Sequence, residues 1–284
     1  MQFVKFPRIF SLREGMIQTI NSLSKLTNLN SSEIILDFSQ IEEMSKGDLM
    51  VLIAQIEKGQ LTFKNNFKRH GNFPHKQSVR KLLTTTTMFF HQNTTIESYL
   101  LTDFDKEKLL IPDVVDSTVV TLKSIGIKDY YFPFNSFLTE LIGNAVEHGI
   151  KQKKINWWLT HEVDRKTQSI RYTFVDMGMG IISSHKRAGL PLKYMFLQDK
   201  NVLLDSFSGK LRSSTKETFR GKGLQQFSEM IVKEHISDVF VLTNKVSLCY
   251  ENGEFITNNN PDFVGTYFTW TISKENVKKW KESN

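Results

Sequence analysis

Thr139-Glu140-Leu141-Ile142-Gly143-Asn144-Ala145-Val146-Glu147-His148-Gly149 is the stretch on which the reading of this chain turns. It lies in a longer segment, Phe134 to Ile150, whose residues Phe137, Leu138, Leu141, Ile142, Ala145 and Val146 fall on one arc of a helix. Ser136, Glu140, Gly143, Asn144, Glu147 and Lys151 fall on the opposite arc. Glu140 and Asn144 are one turn apart, so their side chains reach the same point. Two readings stand for that face. One is an ordinary solvated surface. The other is a carboxylate base beside an amide oxygen that ligates Mg²⁺, a hard cation that takes oxygen ligands and keeps several waters.

Further along, Phe174-Val175-Asp176-Met177-Gly178-Met179-Gly180-Ile181 reads as a buried strand running into Asp-x-Gly-x-Gly. An Asp at a strand end accepts a hydrogen bond from an exocyclic amine, and the glycines allow a ligand close to the backbone. The same residues also make plain turns. Arg220-Gly221-Lys222-Gly223-Leu224 precedes a helix expected over Gln225 to Glu234. Glycines ahead of a helix expose backbone N–H groups, and the helix dipole favours an anion there. The alternative is a hinge. The segment is neither a Walker A loop nor a Rossmann fingerprint, since it lacks G-x-x-x-x-G-K-[ST] and no strand immediately precedes it. Gly265-Thr266 opens a last strand, Tyr267 to Ile272.

Taken in order, Glu140-x-x-x-Asn144, Asp176-x-Gly178-x-Gly180, Gly221-x-Gly223-Leu224 and Gly265-Thr266 resemble the four nucleotide-binding boxes of the GHKL ATPases. That superfamily includes gyrase-type ATPases, histidine kinases, mismatch-repair ATPases and anti-sigma serine kinases. The stretch Thr139 to Gly149 is most similar to the last group. The resemblance implies a layered (Bergerat) α/β sandwich with a mixed sheet, ATP and Mg²⁺ as cofactors, and an ATP lid over Ile181 to Phe219. It implies that Asn144 holds Mg²⁺ against the phosphates and that Asp176 binds the adenine amine, with Gly178 and Gly180 shaping the pocket. It gives Gly221, Lys222, Gly223 and Leu224 the phosphates, Thr266 a water-mediated contact to adenine, and Glu140 the attacking hydroxyl. Lys210, Arg212 and Lys216 in the lid would reach a γ-phosphate.

The first half alternates strands and helices: a strand Gln2 to Phe6, a helix Ser11 to Leu26 capped by Ser11, and a strand over Ile34 to Phe38. A helix over Leu49 to Ile56 follows, and a third begins at Ser78. This order resembles the STAS fold of anti-sigma-antagonist proteins, in which a Ser at the start of the second helix is phosphorylated. Here that segment reads Glu43-Met44-Ser45-Lys46-Gly47-Asp48-Leu49, so Ser45 is either a phosphoacceptor or a helix cap. The charged stretch Asp103 to Pro112 sets the boundary, giving a STAS-like domain over 1–103 and an ATP-binding domain over 104–284.

Composition bounds the rest. The chain has 284 residues, of which 39% are hydrophobic and 24% charged, which is globular composition. Its single cysteine, Cys249, excludes an intramolecular disulfide framework and a cysteine-based zinc site. No apolar run approaches the roughly 20 residues of a membrane helix, and the start of the chain lacks the apolar core of a signal peptide. A cytoplasmic protein is expected. The net charge of +7 leaves a nucleic-acid partner open, but no nucleic-acid motif supports one.

No helix with a phosphoacceptor His precedes the ATP-binding half, which argues against a sensor histidine kinase. Only Ser273 to Asn284 follow the last expected strand, which argues against a gyrase-type transducer. A regulatory ATPase or serine-kinase-like enzyme and an ATP-gated interaction module remain. In either case the expected partner is another protein or a second copy of the chain.

Overall fold

The computed structural model describes residues 2–27, 33–63, 66–69, 74–83, 100–102, 111–128, 131–150, 157–190, 194, 197–211 and 223–283. The chain divides into two compact units, Met1–Leu101 with Trp158–Thr160, and Thr102–Trp157 with His161–Asn284. Both are mixed α/β.

In the first unit, β1 (Gln2–Lys5), α1 (Met16–Thr27), β2 (Glu33–Asp37), α2 (Lys46–Phe63), β3 (Asn66–Arg69) and α3 (77–83) follow one another. The three strands are parallel in the order β1-β2-β3, with Val4 beside Leu36 and Ile34 beside Phe67. Parallel neighbours need a crossover, and α1 and α2 supply them and pack on each other. Val4, Ile34 and Leu36 are buried, as are all residues from Leu49 to Ile56, so the middle of α2 is buried on every side and, Gln55 apart, apolar. Phe6 stacks on Phe38 at 5.0 Å.

The helix expected from Ser11 begins instead at Met16. The Ser11 hydroxyl accepts hydrogen bonds from the N–H groups of Arg13 and Glu14 and so closes a turn ahead of the helix. Ser45 is the cap of α2: the Asp48 N–H donates to Ser45 Oγ at 3.0 Å, and the Ser45 N–H donates to Asp48 Oδ2 at 3.1 Å. The Ser45 hydroxyl itself donates to Asp48 Oδ2 at 2.6 Å. Ser45→Ala should therefore cost about 1 kcal/mol of stability, read as a lower urea midpoint.

The second unit contains α4 (Ile111–Ser124), α5 (Phe132–Ile150), β5 (Trp157–Asp164) except for its residues Trp158–Thr160, β6 (Ser169–Asp176), α6 (Ile181–Gly189), α7 (Asp199–Phe207), α8 (Gly223–Val232), β7 (Ser237–Glu251), β8 (Glu254–Ser273) and α9 (Lys274–Glu282). A short strand, β4 (Leu100–Thr102), lies where the two units divide. Strands β5 to β8 run in the order β5-β6-β8-β7. The resemblance implies a mixed sheet, but β6 with β8 and β7 with β8 are antiparallel. Helices α5 and α8 cover one face through an aromatic layer: Phe137 stacks on Phe227 at 4.1 Å, and both meet Phe268 and Trp270 edge-on. Trp157 and Trp158 are both buried.

Helix α5 starts at Phe132, ahead of the expected Phe134, because Pro133 is tolerated in a first turn, where its missing N–H costs nothing. The last strand, expected from Gly265-Thr266, is the end of one long strand, β8, that begins at Glu254. Asn258-Asn259-Asn260-Pro261 reads as a break, yet three residues, 260 to 262, oppose Lys245 alone, so the proline sits in a bulge. Asn252 and Gly253, both at positive φ, close the β7–β8 hairpin.

Residues 181–207, without a clear period in the sequence, carry two helices. Helix α6 packs on β7, and α7 packs on β7, β8 and α8, with the Phe207 ring 6.0 Å from Phe227. Arg212, Lys216 and Phe219, at the far end of the expected lid, lie outside the described residues. Among the described residues no helix is long and apolar enough to cross a membrane.

Candidate nucleotide site

The sheet of the second unit ends in a cavity of about 150 Å³. Leu141, Asn144 and Ala145 line it from α5, Phe174 and Asp176 from β6, and Thr266 and Phe268 from β8. Gly178 to Ile181, with Ser184 and His185, close one side, and Gly223 and Leu224 open α8 on another. A cavity of roughly that volume in another protein accepts a benzene ring, so a flat heterocycle fits the apolar part, with the remainder of a ligand at the mouth.

Asp176 is the last residue of β6 and is half-buried. Its Oδ1 accepts the Gly178 N–H at 2.7 Å, turning the carboxylate back over its own loop. A Cβ at position 178 would sit 2.6 Å from that oxygen. The backbone behind Asp176 is held more tightly still. Gly265 has φ +102°, and a Cβ there would lie 1.9 Å from the Asp176 carbonyl oxygen. Gly265-Thr266, within β8, is thus the contact that lets β8 close on the end of β6 and sets Thr266 opposite Asp176.

Gly180 also has positive φ, and a Cβ there would run into Asn244 Oδ1 and Thr243 Oγ1. Those two side chains cap α6 from a neighbouring strand. Thr243 Oγ1 accepts the Ile181 N–H at 2.9 Å, and Asn244 Oδ1 accepts those of Ile182 and Ser183, each at 3.2 Å. Asn244 Nδ2 donates to the Met179 carbonyl at 2.8 Å and to Ser183 Oγ at 2.9 Å. Thr243 Oγ1 also lies 3.2 Å from the Gly265 carbonyl and 3.3 Å from Thr266 Oγ1. One threonine therefore ties the Asp-x-Gly-x-Gly turn to Gly265-Thr266. The first N–H groups of α6 are spent inside the protein.

At that end Gly223 begins α8 against α5. A Cβ on Gly223 would lie 3.2 Å from Glu140 Cβ, 3.4 Å from Glu140 Oε2 and 3.7 Å from Asn144 Nδ2. The glycine makes a cradle in which a helix N-terminus, a carboxylate and an amide converge. Glu140 is half-buried and Asn144 is exposed. Among the described residues no group of three or more His, Cys, Asp and Glu is placed to hold a metal ion. A Mg²⁺ at this position would have Asn144 as its protein oxygen ligand and would need further oxygens from phosphate or water.

The structure thus brings Asn144, Asp176, Gly178, Gly180, Gly223, Leu224 and Thr266 around one cavity, with Glu140 at its α8 end. Gly221 and Lys222 lie outside the described residues. Lys210 is exposed, and its Nζ is 3.6 Å from Asp205 Oδ1.

Five side chains escape the sequence reading: Ser184, His185, Ser206, Thr243 and Asn244. An Asn inside a strand is disfavoured, and that was the available signal for Asn244. It has φ +51° and stands at a shift in the β7–β8 register. Ser184 and His185 carry no such mark, since only the path of α6 turns them toward the cavity. No family model matches the chain, and no curated protein matches it.

Proposed function

We propose that the second unit binds ATP with Mg²⁺, and that the protein is a regulatory ATPase or serine-kinase-like enzyme. The observation that carries this reading is the convergence of four segments far apart in the chain, around Asn144, Asp176, Gly223 and Thr266, on a single cavity. The order of those segments and the helical layer over the sheet support placing this unit with the GHKL ATPases. The strand–helix order of the first unit supports a STAS-like domain.

Each residue has a task in this reading. Asp176 accepts the exocyclic amine of adenine, and the Gly178 and Gly180 turn admits the ring. Thr266 supports the same edge through water. Gly221, Lys222, Gly223 and Leu224 hold the phosphates at the start of α8. Mg²⁺, when bound on Asn144, neutralises phosphate charge. Glu140 accepts the proton of the attacking hydroxyl at Oε2, beside Gly223. A cytoplasmic setting, which keeps a lone thiol such as Cys249 reduced, fits this use.

A second reading keeps the ATP and drops the turnover: an ATP-gated module whose STAS-like half docks a protein partner or a second copy. One observation favours it. The Ser45 hydroxyl already donates to Asp48, and a phosphate there would face that carboxylate, so simple self-phosphorylation is disfavoured.

Following γ-labelled ATP with Mg²⁺ separates the two readings. Wild type is expected to release label as phosphate or pass it to a protein, and Glu140→Ala to bind ATP but turn over about a hundredfold more slowly. Equal turnover in both would remove Glu140 from its role. Label that stays on bound ATP in wild type would leave the interaction module or a kinase whose protein substrate is missing.

A further inference from the structure

We infer that His185 reads the nucleoside part of the bound nucleotide, contacting base or ribose and leaving the phosphates to the α8 end. The inference rests on the nucleotide reading above and deepens it.

Ile181, Ser184 and His185 stand at i, i+3 and i+4 of α6, which places them on one helix face, and all three line the cavity. Lys186 and Arg187 next to them are exposed, with Lys186 Nζ 2.5 Å from Asp199 Oδ1. The positive charge of this helix is therefore directed away from the pocket, and what faces inward is an imidazole. His185 is half-buried, and among the described residues its ring has no hydrogen-bond partner. Burial lowers its pKa below the ordinary histidine value, so the ring is uncharged at neutral pH.

A neutral imidazole offers one N–H donor, one acceptor and a flat face. Those groups match a purine edge or a ribose hydroxyl. A polyphosphate instead attracts a cation, a role the sequence gives to Lys222. The half-buried ring thus presents an uncharged donor and acceptor on the same wall as the turn that presents Asp176. None of the four sequence boxes contains it.

The test is calorimetric titration of adenosine, AMP, ADP and ATP, with Mg²⁺ for the last two, into wild type, His185→Ala and His185→Asn. Melting curves check that the variants are folded. His185→Ala is expected to weaken all four ligands by a similar factor, about tenfold, with His185→Asn between the alanine variant and wild type. Weakening confined to ATP and ADP would place the ring at the phosphates and overturn the inference. Unchanged affinities would overturn it while leaving the nucleotide site standing. Wild type that binds none of the four would overturn both.

Discussion

Asp176→Asn should lose ATP binding by about a hundredfold or more while leaving the fold intact. The asparagine keeps an Oδ1 to accept the Gly178 N–H, the 2.7 Å bond that shapes the turn, so thermal unfolding should move little. What changes is the outer face of the group. A carboxylate only accepts, whereas an amide presents an NH₂ that opposes the exocyclic amine of adenine. Two donors facing each other in a half-buried site leave both unpaired, and that mismatch carries the effect. Calorimetry on wild type and variant checks it, with the melting curve as control. Equal affinities would remove Asp176 from the binding role.

Gly265→Ala should act through the backbone. The methyl would overlap the Asp176 carbonyl oxygen at 1.9 Å and approach Met177 Cα at 3.1 Å, at a φ of +102° that side chains rarely adopt. Relief requires β8 to move away from β6, which breaks the Asp176–Thr266 register and loosens Thr243 from Gly265 and Thr266. Strain and overlap together suggest a loss of about 3 kcal/mol, read from the guanidinium midpoint, with nucleotide binding lost in the fraction that stays folded. Gly143→Ala is the matched control: a Cβ there meets nothing within 4 Å, so neither stability nor binding should fall.

Legibility in the sequence followed the physics of each segment. The end of strand β6 at Asp176 was readable to the residue, because its apolar run stops at an Asp-x-Gly turn that no strand continues. Helices α5 and α8 were readable to within two residues, since one face of each is apolar and the other polar. The long hairpin was not. Asn258 to Pro261 has the composition of a loop, and only the bulge opposite Lys245 shows how a strand absorbs it.

The candidate site divides the same way. Glycines and carboxylates at helix and strand ends leave a local mark, so Asp176, Gly178, Gly180, Gly223 and Thr266 could be named in advance. Thr243 could not, and Asn244 showed only as an Asn inside a strand, since their partners are more than sixty residues away for α6 and about twenty for Gly265. His185 depends on the direction of a helix whose sequence shows no clear period. Ser45 had two readings, and the hydrogen bonds to Asp48 describe it as a cap.

The central claim, a nucleotide site in the second unit, is tested most directly by titrating the full chain with ATP in the presence of Mg²⁺. Saturable binding of one nucleotide per chain, with a raised melting temperature, is the predicted result. No heat and no shift in melting at millimolar ATP would contradict it.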